Sequence, residues 1–186
     1  MNASPGGKTS HIIQLTRGKA LVVAFDRSIK KIETLRNTLT RLGLYTNVVL
    51  LPMDSRYSDL DTLLANKADK VIVDPPCTAL GVRPKLLFDR SVEDILVLSK
   101  YQAQFLKTAV RIAKKGGLIA YSTCTITFQE NELNTIQVID EYGLESIDLG
   151  FLPYSEKVKY RGLIAYRFSP LTSDMPGYYL SILRKP

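Results

Sequence analysis

The stretch Lys70-Val71-Ile72-Val73-Asp74-Pro75-Pro76-Cys77 constrains this chain more than any other. Three consecutive β-branched residues read as a strand buried on both faces, as in parallel sheets. Pro75 and Pro76 lack the amide hydrogen that a ladder needs, so the strand must stop there. Asp74 and Cys77 are thereby set at the carboxyl end of a central strand. In open α/β sheets that edge is where ligands bind. The other cysteine, Cys124, lies in Tyr121-Ser122-Thr123-Cys124-Thr125 and also follows an apolar run, Leu118-Ile119-Ala120-Tyr121. Two thiols at the ends of two strands call for a chemical explanation. Inert packing in the core is the plain alternative.

Strands and helices alternate along the rest of the chain. A glycine-rich turn leads into a short helix over 9–16 and a strand over 19–25 that ends in Asp26. Ser28 can cap the next helix, where Ile29, Ile32, Leu35, Leu39 and Leu42 recur at helical spacing until Gly43 ends it. A third strand over 47–51 and a short helix over 57–65 precede the central strand. A loop over 78–89 carries Arg83-Pro84-Lys85. The longest helix is expected over 92–113, with Ile95, Leu98, Gln102, Phe105, Ala109 and Ile112 along one face. A strand over 118–121 and a helix over 130–142 follow. Closing strands are expected over 144–149, 164–168 and 178–183, the last two antiparallel. This alternation predicts a mostly parallel, doubly wound α/β sheet.

A chain of 186 residues, 45% hydrophobic, can bury the core of one domain, 1–186. A cofactor loop of this glycine-rich kind normally follows a strand. None precedes Gly6 here, so the first strand is expected to be missing from the domain. No apolar run reaches the ~18 residues that a membrane span requires. The N-terminus lacks a signal-peptide core, and a cytoplasmic location with reduced cysteines is expected. A net charge of +7 favours a polyanion such as RNA or DNA, or else a solvated basic surface.

Ser4-Pro5-Gly6-Gly7-Lys8-Thr9 invites comparison with a phosphate-binding loop, but that pattern needs glycine where Asn2 stands. A structural turn is a second reading. The preferred one is a loop whose backbone closely approaches a cofactor. Asp26, followed by Arg27, ends the next strand at the distance where an acid takes ribose hydroxyls. Asp54 follows the third strand and could accept from an adenine amino group; Asp74 follows the fourth. Three acids ending successive strands favour an adenosine-bearing cofactor, and S-adenosyl-L-methionine fits best. No metal-ligand set is read. The lone His11 is read as a helix residue.

Taken together, Ala3-Ser4-Pro5-Gly6-Gly7-Lys8-Thr9, Asp74-Pro75-Pro76-Cys77, Ser122-Thr123-Cys124-Thr125 and Glu130-Asn131-Glu132 resemble the NOP/SUN (RsmB-like) RNA cytosine-5 methyltransferases. Gly81-Val82-Arg83-Pro84 is similar to the branch that modifies the tRNA acceptor end. The resemblance implies a Rossmann-like class I methyltransferase fold with S-adenosylmethionine as cofactor and RNA, in particular tRNA, as substrate. It implies that Cys124 attacks cytosine carbon-6, that Cys77 assists product release, and that Asp74 holds the base. Lys8 would lie near the base or the methionine end of the cofactor. A partner chain or an N-terminal RNA-binding domain would supply the missing strand. Two other functions stay open. Asp-Pro-Pro also marks amino methyltransferases, although an aromatic residue is expected there in place of Cys77. A non-catalytic RNA-binding homologue is the third.

Overall fold

The computed structural model describes residues 1–60, 63–84, 87, 89–172 and 174–186. The chain forms two compact units, Met1–Ser58 and Asp59–Pro186.

In the first unit α1 (Gly7–Leu15), β1 (Val22–Asp26), α2 (Ile29–Arg41) and β2 (Val48–Pro52) follow in order. β1 and β2 pair in parallel, from Val22↔Val48 to Asp26↔Pro52. The Ser28 hydroxyl accepts the Lys31 amide at 3.4 Å, as expected of a cap, and Gly43 ends the helix at φ 66°. Ile32, Leu35 and Leu39 are buried with Ile13 and Ala24. Ile29, 67% exposed, and Leu42, 41% exposed, lie off that face. Thus the apolar stripe of α2 is narrower than the sequence suggested. The glycine loop is tied to β1 by the Ala3 amide, which donates to the Phe25 carbonyl at 2.8 Å. Gly6 adopts φ +120°, and a Cβ there would lie 2.7 Å from Leu35 Cδ1. The backbone can therefore pass over α2 only without a side chain.

The second unit contains β3 (Ala68–Val73), α3 (Val92–Ile112), β4 (Ala113–Thr123) and α4 (Asn134–Tyr142), followed by β5 (Glu145–Ser146), β6 (Glu156–Tyr160), β7 (Leu163–Phe168) and β8 (Tyr178–Arg184). The sheet runs β3-β4-β8-β7-β6, with β5 also on β8. β3 and β4 are parallel; the β4–β8, β5–β8, β6–β7 and β7–β8 pairs are antiparallel. α3 starts with a reciprocal cap between Ser91 and Asp94. It buries Phe105, Leu106, Ala109 and Ile112 in the core of this unit. No helix among the described residues is long and apolar enough to cross a membrane.

Several expectations are corrected. β3 ends the hydrogen-bonded order of its own sheet, pairing with β4 alone, and is not central in it. The strand expected over 144–149 shrinks to Glu145–Ser146. Beyond it the Leu149 amide turns to the Tyr166 hydroxyl, and the Gly150 amide to Asp148. The helix expected over 57–65 is a 3₁₀ turn over Ser55–Leu60, and residues 61 and 62 lie outside the described residues. The helix expected over 130–142 opens with a π-helical turn, Gln129–Leu133. β6 was not anticipated. Its sequence Glu-Lys-Val-Lys-Tyr is nearly all charged or exposed, as suits the last strand of a sheet.

Gly6→Ala should cost about 1–3 kcal/mol, since the side chain meets both a positive φ and Leu35. Urea unfolding measures this, and an unchanged midpoint would show that the loop relaxes without cost.

Candidate active site

The register of β3 on β4 builds the site. Val71 lies opposite Ile119 and Val73 opposite Tyr121. One step further, Asp74 reaches the level of Ser122, whose hydroxyl stands 3.5 Å from Asp74 Oδ1. The prolines then turn the first chain out of the ladder, and the two loops converge. Cys77 Sγ and Cys124 Sγ meet at 3.2 Å; neither is in a disulfide, and both are half-buried.

The pair is chemically asymmetric. The hydrogen bond to Cys124, then burial, push the Cys77 thiol far above its ordinary range; the charge of Cys124 adds to this. Cys77 therefore keeps its proton at neutral pH.

The Cys124 carbonyl accepts the Gly81 amide at 3.0 Å, and the Gly81 carbonyl accepts the Gly177 amide at 2.7 Å. A Cβ on Gly81 would stand 2.3 Å from the Gly177 oxygen, so the two backbones cross with no room for a side chain. Beside this crossing lies a cavity of about 510 Å³, lined among others by Arg83, Thr125, Ile126, Phe168 and Tyr178. Arg83 makes an exposed ion pair with Asp174 at 3.0 Å. Lys85, expected to act with Arg83, lies outside the described residues.

Behind the thiols is a buried polar network that sequence reasoning missed. Glu130, fully buried, accepts from the Thr78 amide, the Thr78 and Thr127 hydroxyls and the Gln102 side-chain amide at 2.6–2.9 Å. The signal was present in Gln102, a polar residue in an otherwise apolar helical row.

The residues expected to hold a cofactor lie in the first unit. Gly6 precedes the first turn of α1, where no side chain caps the helix. Ala3 to Pro5 lead into it, and Lys8 and Arg27 are exposed. Asp26 is 3% exposed at the carboxyl end of β1. Its Oδ1 accepts the Ser28 amide at 3.3 Å and lies 4.0 Å from Lys31 Nζ. Among the described residues Oδ2 takes no protein donor, so it can accept from a sugar hydroxyl. Asp54 is different: Arg56 grips both its oxygens at 2.7–3.1 Å and holds its carboxyl below the usual range. The residues of this unit thus fit an adenosine-bearing group through Gly6 and Asp26, with Asp54 already engaged.

The asymmetry of the thiols is measurable by alkylation. At pH 8 iodoacetamide should label Cys124 at least about tenfold faster than Cys77, as read by peptide mass spectrometry. Faster labelling of Cys77 would show that its thiol is not the one held protonated.

Comparison with known proteins follows the same lines. The family model 16S rRNA methyltransferase RsmB/F matches residues 1–184. A tRNA (cytosine(72)-C(5))-methyltransferase of Pyrococcus horikoshii is 37% identical over 186 residues, covering all of this chain and 46% of the relative. The probable ribosomal RNA small subunit methyltransferase B of Bacillus subtilis is 33% identical over 133 residues, 70% of this chain and 30% of the relative. The crystal structure of NSun6 from Pyrococcus horikoshii with SFG superposes with a TM-score of 0.89 at 36% identity, covering 100% of this chain and 46% of that one. A SAM-dependent O-methyltransferase from Thermotoga maritima, 14% identical with a TM-score of 0.61, shares the Rossmann-like fold alone. The chain spans less than half the length of these curated relatives. A match over nearly every residue, with the glycine loop and both thiol segments inside it, shows that the chain belongs to the RsmB/F methyltransferase family.

Proposed function

We propose that this chain is the catalytic part of an S-adenosylmethionine-dependent RNA cytosine-5 methyltransferase that acts on tRNA through a covalent cysteine adduct. The observation that carries the reading is the 3.2 Å approach of Cys77 and Cys124 at the ends of adjacent parallel strands. The net charge of +7 and relatives named as RNA and tRNA methyltransferases support the substrate class.

Carbon-5 of cytosine is a poor nucleophile. The Cys124 thiolate adds to carbon-6, which makes carbon-5 enamine-like and able to take a methyl group. Asp74 relays the proton that leaves the Cys124 thiol to the ring nitrogen as the adduct forms and takes it back at elimination. Ala3 to Lys8 and Asp26 would hold S-adenosylmethionine, which would supply the electrophilic methyl group. The carbon-5 proton must then leave, after which the Cys124–carbon-6 bond breaks and the ring double bond returns. Cys77 suits this second half. Its thiol is held protonated first by Cys124, and that restraint ends once the Cys124 sulfur is bonded to carbon. Cys77 can then lose its proton to solvent and accept the one from carbon-5.

Two measurements test the reading. Cys124→Ser should abolish both methylation and the covalent adduct, because an alcohol is scarcely ionised at neutral pH. Cys77→Ser should permit attack and then stall, leaving RNA attached to Cys124 on a denaturing gel. A trapped band for Cys124→Ser alone would exchange the two roles, and methylation on nitrogen would indicate an amino methyltransferase. Asp26→Ala should weaken cofactor binding by about 1.5–3 kcal/mol by calorimetry, the size of a hydrogen bond to a charged group. Equal binding before and after would remove Asp26 from the cofactor site.

A further inference from the structure

We infer that Glu130 is a positioning residue that clamps the two thiol-bearing loops together, and that the sulfur–sulfur approach depends on its carboxyl group. The inference rests on the reading of Cys77 and Cys124 as the reacting pair.

Neither thiol is held by a ladder. Cys77 lies four residues past its strand-ending Val73, beyond two prolines, and Cys124 follows Thr123, the last residue of β4. Each is instead bracketed by its neighbours in sequence. On the Cys77 side, the Pro76 carbonyl accepts Gln102 Nε2 at 2.9 Å, and the Thr78 amide donates to Glu130 Oε1 at 2.9 Å. On the Cys124 side, the Thr123 hydroxyl donates to Asn131 Oδ1, and the Thr125 carbonyl accepts Asn131 Nδ2 at 3.1 Å. The two halves join at Glu130. Its Oε1 takes the Thr78 amide and, at 2.8 Å, Gln102 Nε2. Its Oε2 takes the Thr78 hydroxyl at 2.6 Å and the Thr127 hydroxyl at 2.7 Å. The hydroxyls of Thr78 and Thr125 also touch at 2.7 Å, so the residues following the two cysteines are bonded directly to one another.

The carboxyl group has the right shape for this task. It is planar, with two acceptor oxygens that can each take two donors. One oxygen faces the amide donors that fix the Cys77 loop. The other faces the hydroxyls of both loops. Glu130 itself is anchored from behind, since its carbonyl accepts the Tyr121 hydroxyl at 2.6 Å. It also sits within the π-helical turn, Gln129–Leu133.

Phenylarsine oxide tests the clamp without RNA or cofactor. It condenses with two thiols, forming two As–S bonds and releasing water, and does so tightly only when both sulfurs are close. The wild-type chain should bind it one to one. Glu130→Ala should weaken binding at least about tenfold through lost positioning of the sulfurs, measured well below the melting temperature. Glu130→Gln keeps an acceptor toward the two amides and a donor toward the hydroxyls, so it should stay within about threefold of wild type. A purely structural role would lower the melting temperature of Glu130→Ala and leave its arsenical affinity intact while folded; that result overturns the inference. If Glu130→Ala does not fold, Thr127→Val decides. It removes one donor to Oε2 and should weaken binding by about twofold or more, and wild-type affinity there overturns the inference. Tight, Glu130-dependent arsenical binding in a chain without methylation would instead count against the proposed function and leave the clamp standing.

Discussion

Parallel pairing of β3 with β4 is the constraint on which the rest of the second unit depends. Parallel strands cannot be joined by a tight turn, so a long crossover is required between them. Here α3 supplies it, and its buried face of Phe105, Leu106, Ala109 and Ile112 holds the crossover in the core. With Val73 opposite Tyr121, β4 runs only two residues past the end of β3, and the loops that follow emerge side by side. A slip of one residue would turn every side chain of β3 to the other face and move Asp74 away from Ser122. The approach of the two thiols is therefore a consequence of strand register before it is anything else.

Beyond the ladder, order comes from buried polar groups. Glu130 and Glu132 are neighbours in one π-helical turn, and each is at most 1% exposed. Glu130 is satisfied by neutral donors. Glu132 is satisfied by a forked ion pair with Arg167, which lies on β7 and is raised in pKa by that contact. One turn thus ties the thiol loops through Glu130 and the antiparallel half of the sheet through Glu132. Exposed ion pairs such as Lys107–Glu141, with side chains 40% and 44% accessible, add little by comparison.

Much of this was legible in sequence because the signals were local. Pro75 and Pro76 end β3 for want of amide hydrogens, Ser28 caps α2, and Gly43 closes it. The helical spacing of Ile32, Leu35 and Leu39 marked a buried face. What sequence reading missed was set by distant partners. Lys157 and Lys159 hide β6 from any search for apolar alternation, because β6 is stabilised by backbone pairing to β7 and has few apolar contacts of its own. Ile147 to Leu149 reads as a strand, yet only the Ile147 amide keeps to β8, at the Ile182 carbonyl, while the Leu149 amide turns to the Tyr166 hydroxyl.

The sequence by itself determined the chemical inventory: two thiols, each following an apolar strand, an acid beside one of them, and a glycine loop followed at a set distance by Asp26. Those follow from residue type and spacing along the chain. Only the tertiary structure decided that β3 ends its sheet, that Asp54 is spent on Arg56 while Asp26 keeps an open oxygen, and that Cys77 retains its proton. It also decided that Gln102, Glu130 and Asn131, drawn from two separate segments, bracket both thiols. Hydrogen-bond partners and charge states depend on groups close in space, and spacing along a chain does not say which distant groups will meet.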